Sequence, residues 1–201
     1  MNTLGITRFE DLIGHMDGLA EAGREAGVEA EAVDFLEKIR QRLVRIYNHL
    51  SGLDADTEPE VEPTAKSVKD TDDFLDQFGA LTDAARGAGL PSAVAHYLHT
   101  SRLRMRFSLR GQQEGRRIAN RDDQPREAGL EWHGGSETVK VVDSSAYGAG
   151  VIARNPVGVH AVAHLTIQGE GGRRRHECLV VYCEPQDAHY HIGLEIFATH
   201  H

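Results

Sequence analysis

Two stretches of the chain carry one pattern, repeated at a fixed offset. Ala22-Gly23-Arg24-Glu25-Ala26-Gly27-Val28 lines up with Ala84-Ala85-Arg86-Gly87-Ala88-Gly89-Leu90. The same offset pairs Leu12 with Phe74, Ile13 with Leu75, Met16 with Phe78, Leu19 with Leu81, Phe35 with Tyr97 and Leu36 with Leu98. Each copy has apolar residues at helical spacing, a glycine of the kind that ends a helix, then a second apolar stripe. A duplicated helical hairpin is thereby expected, each copy supplying half of a four-helix bundle. Chance similarity between two alanine-rich helices is the competing account.

The first helix is expected from Thr7 to Gly27, with Thr7 and Glu10 as a capping box. The second runs from Glu29 to Leu50, with Val33, Leu36, Ile39, Leu43 and Tyr47 on one face and Gly52 at its end. The third is expected from Asp70 to Gly87, and Pro91 opens a fourth that reaches Gly111 or beyond. Between the hairpins, Asp54 to Ser67 is acidic, holds two prolines and has no apolar period, so it reads as a mobile, solvated connector. Arg102, Arg106 and Arg110 form a ladder at helical spacing on the fourth helix. Like charges so placed repel, so the ladder reads as a seam against acidic helices, with a second ligand site as the sharper alternative.

After Pro125 the period changes from helical to alternating. Strand-like runs recur at Gly129–Trp132, Thr138–Val142, Gly150–Ala153, Ala161–Ile167, Cys178–Val181 and His191–Phe197. Gly134-Gly135, Asn155-Pro156, Gly169 to Gly172 and Pro185-Gln186-Asp187 punctuate them. Six short strands with such turns predict a small antiparallel barrel. The fold class expected is therefore α+β, with a helical bundle domain over 1–113 and a six-stranded antiparallel β-barrel domain over 114–201. Cys178 and Cys183 are an odd number of residues apart, which in a regular strand puts them on opposite faces, unbridged.

Two motifs frame the start of this second half. Arg117-Ile118-Ala119-Asn120-Arg121, preceded by Arg116, reads RxxxR; after 21 intervening residues, Asp143 to Gly148 reads DxSxxG. Guanidinium forks chelate phosphate oxygens or the O6/N7 edge of guanine in a way an ammonium does not. A carboxylate at Asp143 accepts from guanine N1–H and N2–H₂, Ser145 adds a hydroxyl, and Gly148 lets backbone come close to a ligand.

Together, and followed by strand sequence, the motifs resemble the PilZ family of cyclic di-GMP receptors, over roughly residues 114–198. The closing His191-Ile192-Gly193-Leu194-Glu195-Ile196 is similar to the last strand of that family's barrel. Ser144 stands where the family often has an aliphatic residue, and Tyr147 where it often has glycine. The resemblance implies a barrel of PilZ type and a non-enzymatic receptor for cyclic di-GMP. Arg117 and Arg121, assisted by Arg116, would clamp phosphate and guanine; Asp143 and Ser145 would read a guanine edge; Gly148 would keep the turn open. Ligand would order the arginine segment and reorient the barrel against the helical domain, acting on an unidentified protein partner.

Charge bears on the rivals. Residues 1–100 hold 9 Lys/Arg against 19 Asp/Glu, whereas 101–126 alone hold 8 Arg against 3 acids. General binding to DNA is disfavoured by so acidic a first half. A nucleic-acid binder using Arg102 to Arg126 remains an alternative, as does a helix-bundle oligomerisation or interaction module, a homodimer through the helical domain included. No apolar run approaches the length of a membrane span and no signal peptide is read at the N-terminus, so a cytoplasmic location is expected. The sequence offers no GxSxG, HExxH or phosphate-cradling GxxxxGK[ST], so no catalytic residue is assigned. The twelve histidines, His160, His164, His189 and His191 among them, lack a recognised ligand spacing and are read as polar-face residues rather than metal ligands. Arg173-Arg174-Arg175 reads as a solvated hairpin tip, and His200 and His201 are set aside from the fold.

Overall fold

A computed structural model describes residues 4–109, 126–169 and 172–200. The chain divides into two compact units, Met1–Arg116 and Arg117–His201. Among the described residues the first forms four α-helices and the second a closed six-stranded antiparallel β-barrel, an α+β fold. The sequence-based boundary at 113/114 lies outside the described residues.

The helices are α1 (Phe9–Glu25), α2 (Ala30–Ser51), α3 (Thr71–Gly87) and α4 (Ser92–Leu109). The repeat pairs Phe9 with Thr71, Glu25 with Gly87 and Ala30 with Ser92, so α3 begins and ends where α1 does, and α4 begins where α2 does. Helix α1 packs on α2 and α3, and α4 packs on α3 and α2. The paired positions supply the core: Leu12, Ile13, Met16, Leu19 and Leu36 are buried, and so are Phe74, Leu75, Phe78, Leu81 and Leu98. Phe35 is only half-buried where its counterpart Tyr97 is buried.

Gly27 and Gly89 end the two first helices in the same left-handed conformation, φ 70° and 71°. At Gly27 the cap closes with Val28 N–H donating to Gly23 O at 2.9 Å and Gly27 N–H to Arg24 O at 3.1 Å. The start of α1 departs from expectation. Asp11, not Glu10, caps it, because its carboxylate reaches the N–H groups of Thr7 and Arg8, both at 2.9 Å, and the Thr7 hydroxyl at 2.8 Å. Pro91 stands one residue ahead of α4, its carbonyl accepting from Val94 N–H at 2.9 Å.

The acidic connector is not a free tether, although most of it is exposed. Thr64 N–H donates to Gly14 O at 2.8 Å. A Cβ at Gly14 would lie 2.8 Å from Glu62 O, and one at Gly18 only 1.8 Å from Thr64 O. Two glycines one turn apart thus open a groove along α1 that receives backbone. Further along, buried Asn48 donates to Thr57 O at 2.8 Å, Arg40 Nη1 to Glu58 at 2.7 Å, and Arg45 pairs with Asp56 at 3.1 Å. Of the arginine ladder, Arg102 is half-buried on α3 over Gly79; the Arg106 side chain and Arg110 fall outside the described residues.

The strands are β1 (Arg126–Trp132), β2 (Gly135–Ser145), β3 (Gly148–Ala153), β4 (Val162–Gly169), β5 (Gly172–Gln186) and β6 (His189–His200). They close in the order β1-β2-β3-β6-β5-β4, with β4 returning to β1. Inward side chains such as Leu130, Val141, Val151, Leu165, Val180 and Ile192 fill the interior. Each of the six expected runs falls on one strand, except that Ala161 precedes β4 by one residue. Arg173 to Arg175 belong to β5 rather than to a turn, and Arg175 pairs with Glu131 at 3.3 Å.

Two further expectations are corrected here. The register of β5 shifts between Val180 and Tyr182, so that Val181 is an extra residue. This inverts the alternation, and Cys178 and Cys183 both pack on the barrel core, as free thiols. His200 is part of the fold: it pairs with Arg175, and its Nε2 lies 3.0 Å from Glu177 Oε1.

Candidate functional site on the outer face of the β2–β3 hairpin

Strand β2 points Val139 and Val141 into the barrel. With unbroken alternation, residues 143 and 145 would follow them inward. The register instead shifts between Val141 and Asp143: Val141 faces Val151 and Asp143 faces Gly150, leaving Val142 as the extra residue. The bulge turns Asp143 and Ser145 to the outer face and brings Ser144, opposite buried Ala149, to the inner one. A hydrophilic motif is thereby displayed at the end of an otherwise core-facing strand.

Each motif residue on the hairpin has a defined setting. The Asp143 carboxylate lies across Gly150, where a Cβ would stand 3.0 Å from Oδ2, and its Oδ1 is buried. Ser145 Oγ accepts from Tyr147 N–H at 3.2 Å and donates to Gly148 O at 3.3 Å, tying the two-residue turn. The Tyr147 carbonyl accepts from Ile196 N–H at 3.0 Å, which anchors that turn to β6. Gly148 faces Glu195, and a Cβ there would meet Leu194 O at 2.7 Å. Asp143, Ser145 and Gly148 are therefore brought together on one hairpin. Arg116, Arg117 and Arg121 lie outside the described residues.

The register extends the site across the sheet. Asp143 on β2, Gly150 on β3, Gly193 on β6 and Tyr182 on β5 are successive cross-strand neighbours. The Tyr182 ring covers Gly193, where a Cβ would come within 2.1 Å of it, and meets the His191 ring edge-on at 5.5 Å. A carboxylate and an aromatic ring thus lie over two positions without side chains, in one row across the sheet. The sequence motifs assign Gly150, Gly193 and Tyr182 no part in the site. Their signal is glycine at strand positions that share a row with the motif, visible only once the register is known.

One row further along lie Lys140, Ile152 and His191. Here the outer face sinks into a depression of about 820 Å³ lined by Arg126, Glu127, Thr138, Lys140, Ile152, Arg154 and His189 among others. Arg126, outside both motifs, reaches from β1 to Ser144, its Nη2 donating to Oγ at 2.6 Å. Glu137 fixes the turn after β3 by accepting from Arg154 N–H and Asn155 N–H, both at 3.2 Å. Among the described residues no group of three His, Cys, Asp or Glu side chains could hold a metal ion. Among them, too, no helix is long and apolar enough to cross a membrane.

No protein-family model matches the chain, and no curated protein matches it. Six chains of solved structures do. One is the PlzA protein of Borreliella burgdorferi in complex with c-di-GMP, at 14% identity and a TM-score of 0.33. The match covers 53% of this chain and 43% of PlzA, so it spans less than half of that protein. A likeness of this size fixes neither the fold nor a ligand.

Proposed function

We propose that this protein is a non-enzymatic receptor for cyclic di-GMP. The observation that carries the reading is the β2 bulge, which turns Asp143 and Ser145 outward beside Gly148 on a closed six-stranded barrel. Without it the DxSxxG residues would be spent on the core. Asp143 accepts from the N1–H and N2–H₂ donors of guanine, which adenine lacks. Ser145 holds the turn and offers its hydroxyl at the same edge. Arg117 and Arg121, with Arg116, supply the forks for phosphate and for the O6/N7 edge. They sit in the stretch that joins the two compact units, so ligand that engages them links barrel occupancy to the helical unit.

Calorimetry on the full chain tests this. Cyclic di-GMP binds at least ~10-fold tighter than cyclic di-AMP, because unmatched buried donors and acceptors cost roughly 1–3 kcal/mol. Arg117→Ala and Arg121→Ala each lower affinity by one to two decades, the scale of a charge-assisted contact of about 1.5–3 kcal/mol. Equal affinity for the two nucleotides, or no heat with either, would refute the assignment.

A further inference from the structure

Two bulges, on strands that do not pair with one another, end in the same row of the barrel. At Val142 the slip turns Asp143 outward. At Val181 it does the same for Tyr182, which would otherwise follow Cys178 and Val180 into the core. A bulge re-aims a side chain at the cost of a locally disrupted ladder. Here two of them deliver a carboxylate and a ring to opposite ends of one line, Asp143, Gly150, Gly193 and Tyr182, on the outer face.

The ring lies with one face on the sheet. A Cβ on Gly193 would stand 2.1 Å from Tyr182 Cε1, 2.5 Å from Cδ1 and 2.6 Å from Cζ, so the ring occupies the space above that glycine. The His191 ring stands beside it, centroids 5.5 Å apart and planes 75° apart. Tyr182 is still 36% exposed, so these contacts cover only part of it. The face turned away from the sheet is the part left to solvent. A ring over a glycine supports a sheet by itself, but that role uses only the inner face.

Neighbouring strands are ~4.8 Å apart. The Asp143 carboxylate lies across Gly150 on β3, and the Tyr182 ring lies over Gly193 on the adjoining β6. Less than the span of a purine therefore separates the acceptor from the π face. A base laid on the ring extends over Gly150, where no side chain obstructs it, and turns its donor edge to Asp143. The hydrogen bonds read the edge, whereas stacking holds the plane and is indifferent to which base it carries.

We propose that Tyr182 is the stacking platform for the guanine whose edge Asp143 reads. The inference rests on the cyclic di-GMP reading and adds to it a residue that neither RxxxR nor DxSxxG includes.

The experiment is calorimetry with cyclic di-GMP and cyclic di-AMP on the full chain as wild type, Tyr182→Phe and Tyr182→Leu, with melting curves on the same samples. Leucine still covers Gly193 but has no π face, and phenylalanine keeps one. Tyr182→Leu is expected to bind cyclic di-GMP at least about tenfold more weakly, with the preference over cyclic di-AMP retained, and Tyr182→Phe to stay within about twofold of the wild type. In the wild-type complex, a nuclear Overhauser contact is expected between the Tyr182 ring protons and guanine H8. That contact reads the stack directly, so it decides the matter even where the leucine variant fails to fold. Binding of cyclic di-GMP without the contact, or with full affinity in a folded Tyr182→Leu, overturns the stack and leaves the receptor reading standing. A wild type that binds no cyclic di-GMP overturns both.

Discussion

Arg102 is the counterpart of Arg40 in the second hairpin, and it lies over Gly79 where Arg40 grips Asp17. Arg40 is bidentate, Nε to Oδ1 at 2.8 Å and Nη2 to Oδ2 at 3.3 Å, and it also reaches Glu58 on the connector. Arg102 has a glycine at the Asp17 position and its guanidinium rests on the helix, with Asp83 at a distant 3.9 Å. The two copies keep the cation and differ in what it holds.

This difference has a measurable consequence. Asp17→Ala leaves the half-buried Arg40 with the exposed Glu58 as its remaining carboxylate, and should lower stability by about 1–2 kcal/mol. Asp83→Ala removes only a long, exposed pair and should cost less than about 0.5 kcal/mol. Urea unfolding followed by helical circular dichroism compares them. Equal losses would show that the copies use their arginines alike.

Asp11 gives the helical unit an acid-sensitive start. Hydrogen bonds from the Thr7 backbone and hydroxyl, and then from Arg8, hold its carboxyl down to about 2 from an ordinary 3.8. A carboxyl whose folded value lies below its unfolded one stabilises above the unfolded value, and that contribution disappears as pH falls from about 4 to about 2. Solvent screens so exposed a group, so its worth is about 1 kcal/mol. Asp11→Asn should therefore be less stable than the wild type at pH 7, with the gap narrowing below about pH 4 and closing only below about pH 2. A gap that persists there would assign the loss to something other than charge.

The two thiols should differ in reactivity despite facing the same core. Burial pushes Cys178 up to about 12, so at neutral pH it holds its proton and is closed to reagents. Cys183 is only partly covered. One equivalent of a thiol reagent should react with the native chain and a second only on unfolding. Cys183→Ser should abolish the fast equivalent.

The repeat made the helical unit legible, because helical periodicity and two glycine caps are local signals that survive in a single sequence. Leu12 and Phe74 could be paired without knowing what either touches. The bulges were not legible. Val142, Val181 and their neighbours are ordinary strand residues, and only the partner strand reveals that one position is unmatched. That single hidden residue inverted the reading of Cys178 and Cys183. At Val142 it also decides whether Asp143 faces ligand or core. The connector departs from expectation for a similar reason: its own composition is that of a solvated loop, and the groove that receives it is written elsewhere, in Gly14 and Gly18.

Ser145 should prove to be a structural residue as well as a binding one. Its hydroxyl makes two contacts within the β2–β3 turn. Ser145→Ala should lower barrel stability by roughly 0.5–1.5 kcal/mol and weaken cyclic di-GMP at once. Asp143→Asn, which keeps size and removes charge, should reduce the preference for guanine over adenine by more than Ser145→Ala does. Melting curves and calorimetry on the same preparations separate the two roles. A Ser145 variant with unchanged melting would restrict that hydroxyl to the ligand.

Gly150→Ala is the most direct test of the geometry, since it alters no group assigned to the ligand. The added methyl would meet Asp143 Oδ2 at 3.0 Å and Val142 Cγ2 at 3.3 Å. A side-chain carboxylate moves more easily than a bulged backbone, so Asp143 swings away from β3 while the strands stay paired. Alanine also suits a strand better than glycine, which offsets part of any strain. Affinity for cyclic di-GMP should fall about tenfold, or about 1.4 kcal/mol, with stability within about 1 kcal/mol of the wild type. Asp143→Ala combined with Gly150→Ala should then bind no more weakly than Asp143→Ala alone, because the methyl acts through a carboxylate already removed. If the two losses instead add, Gly150 serves the ligand by its own close approach, and the floor of the site, rather than the aim of Asp143, sets the affinity.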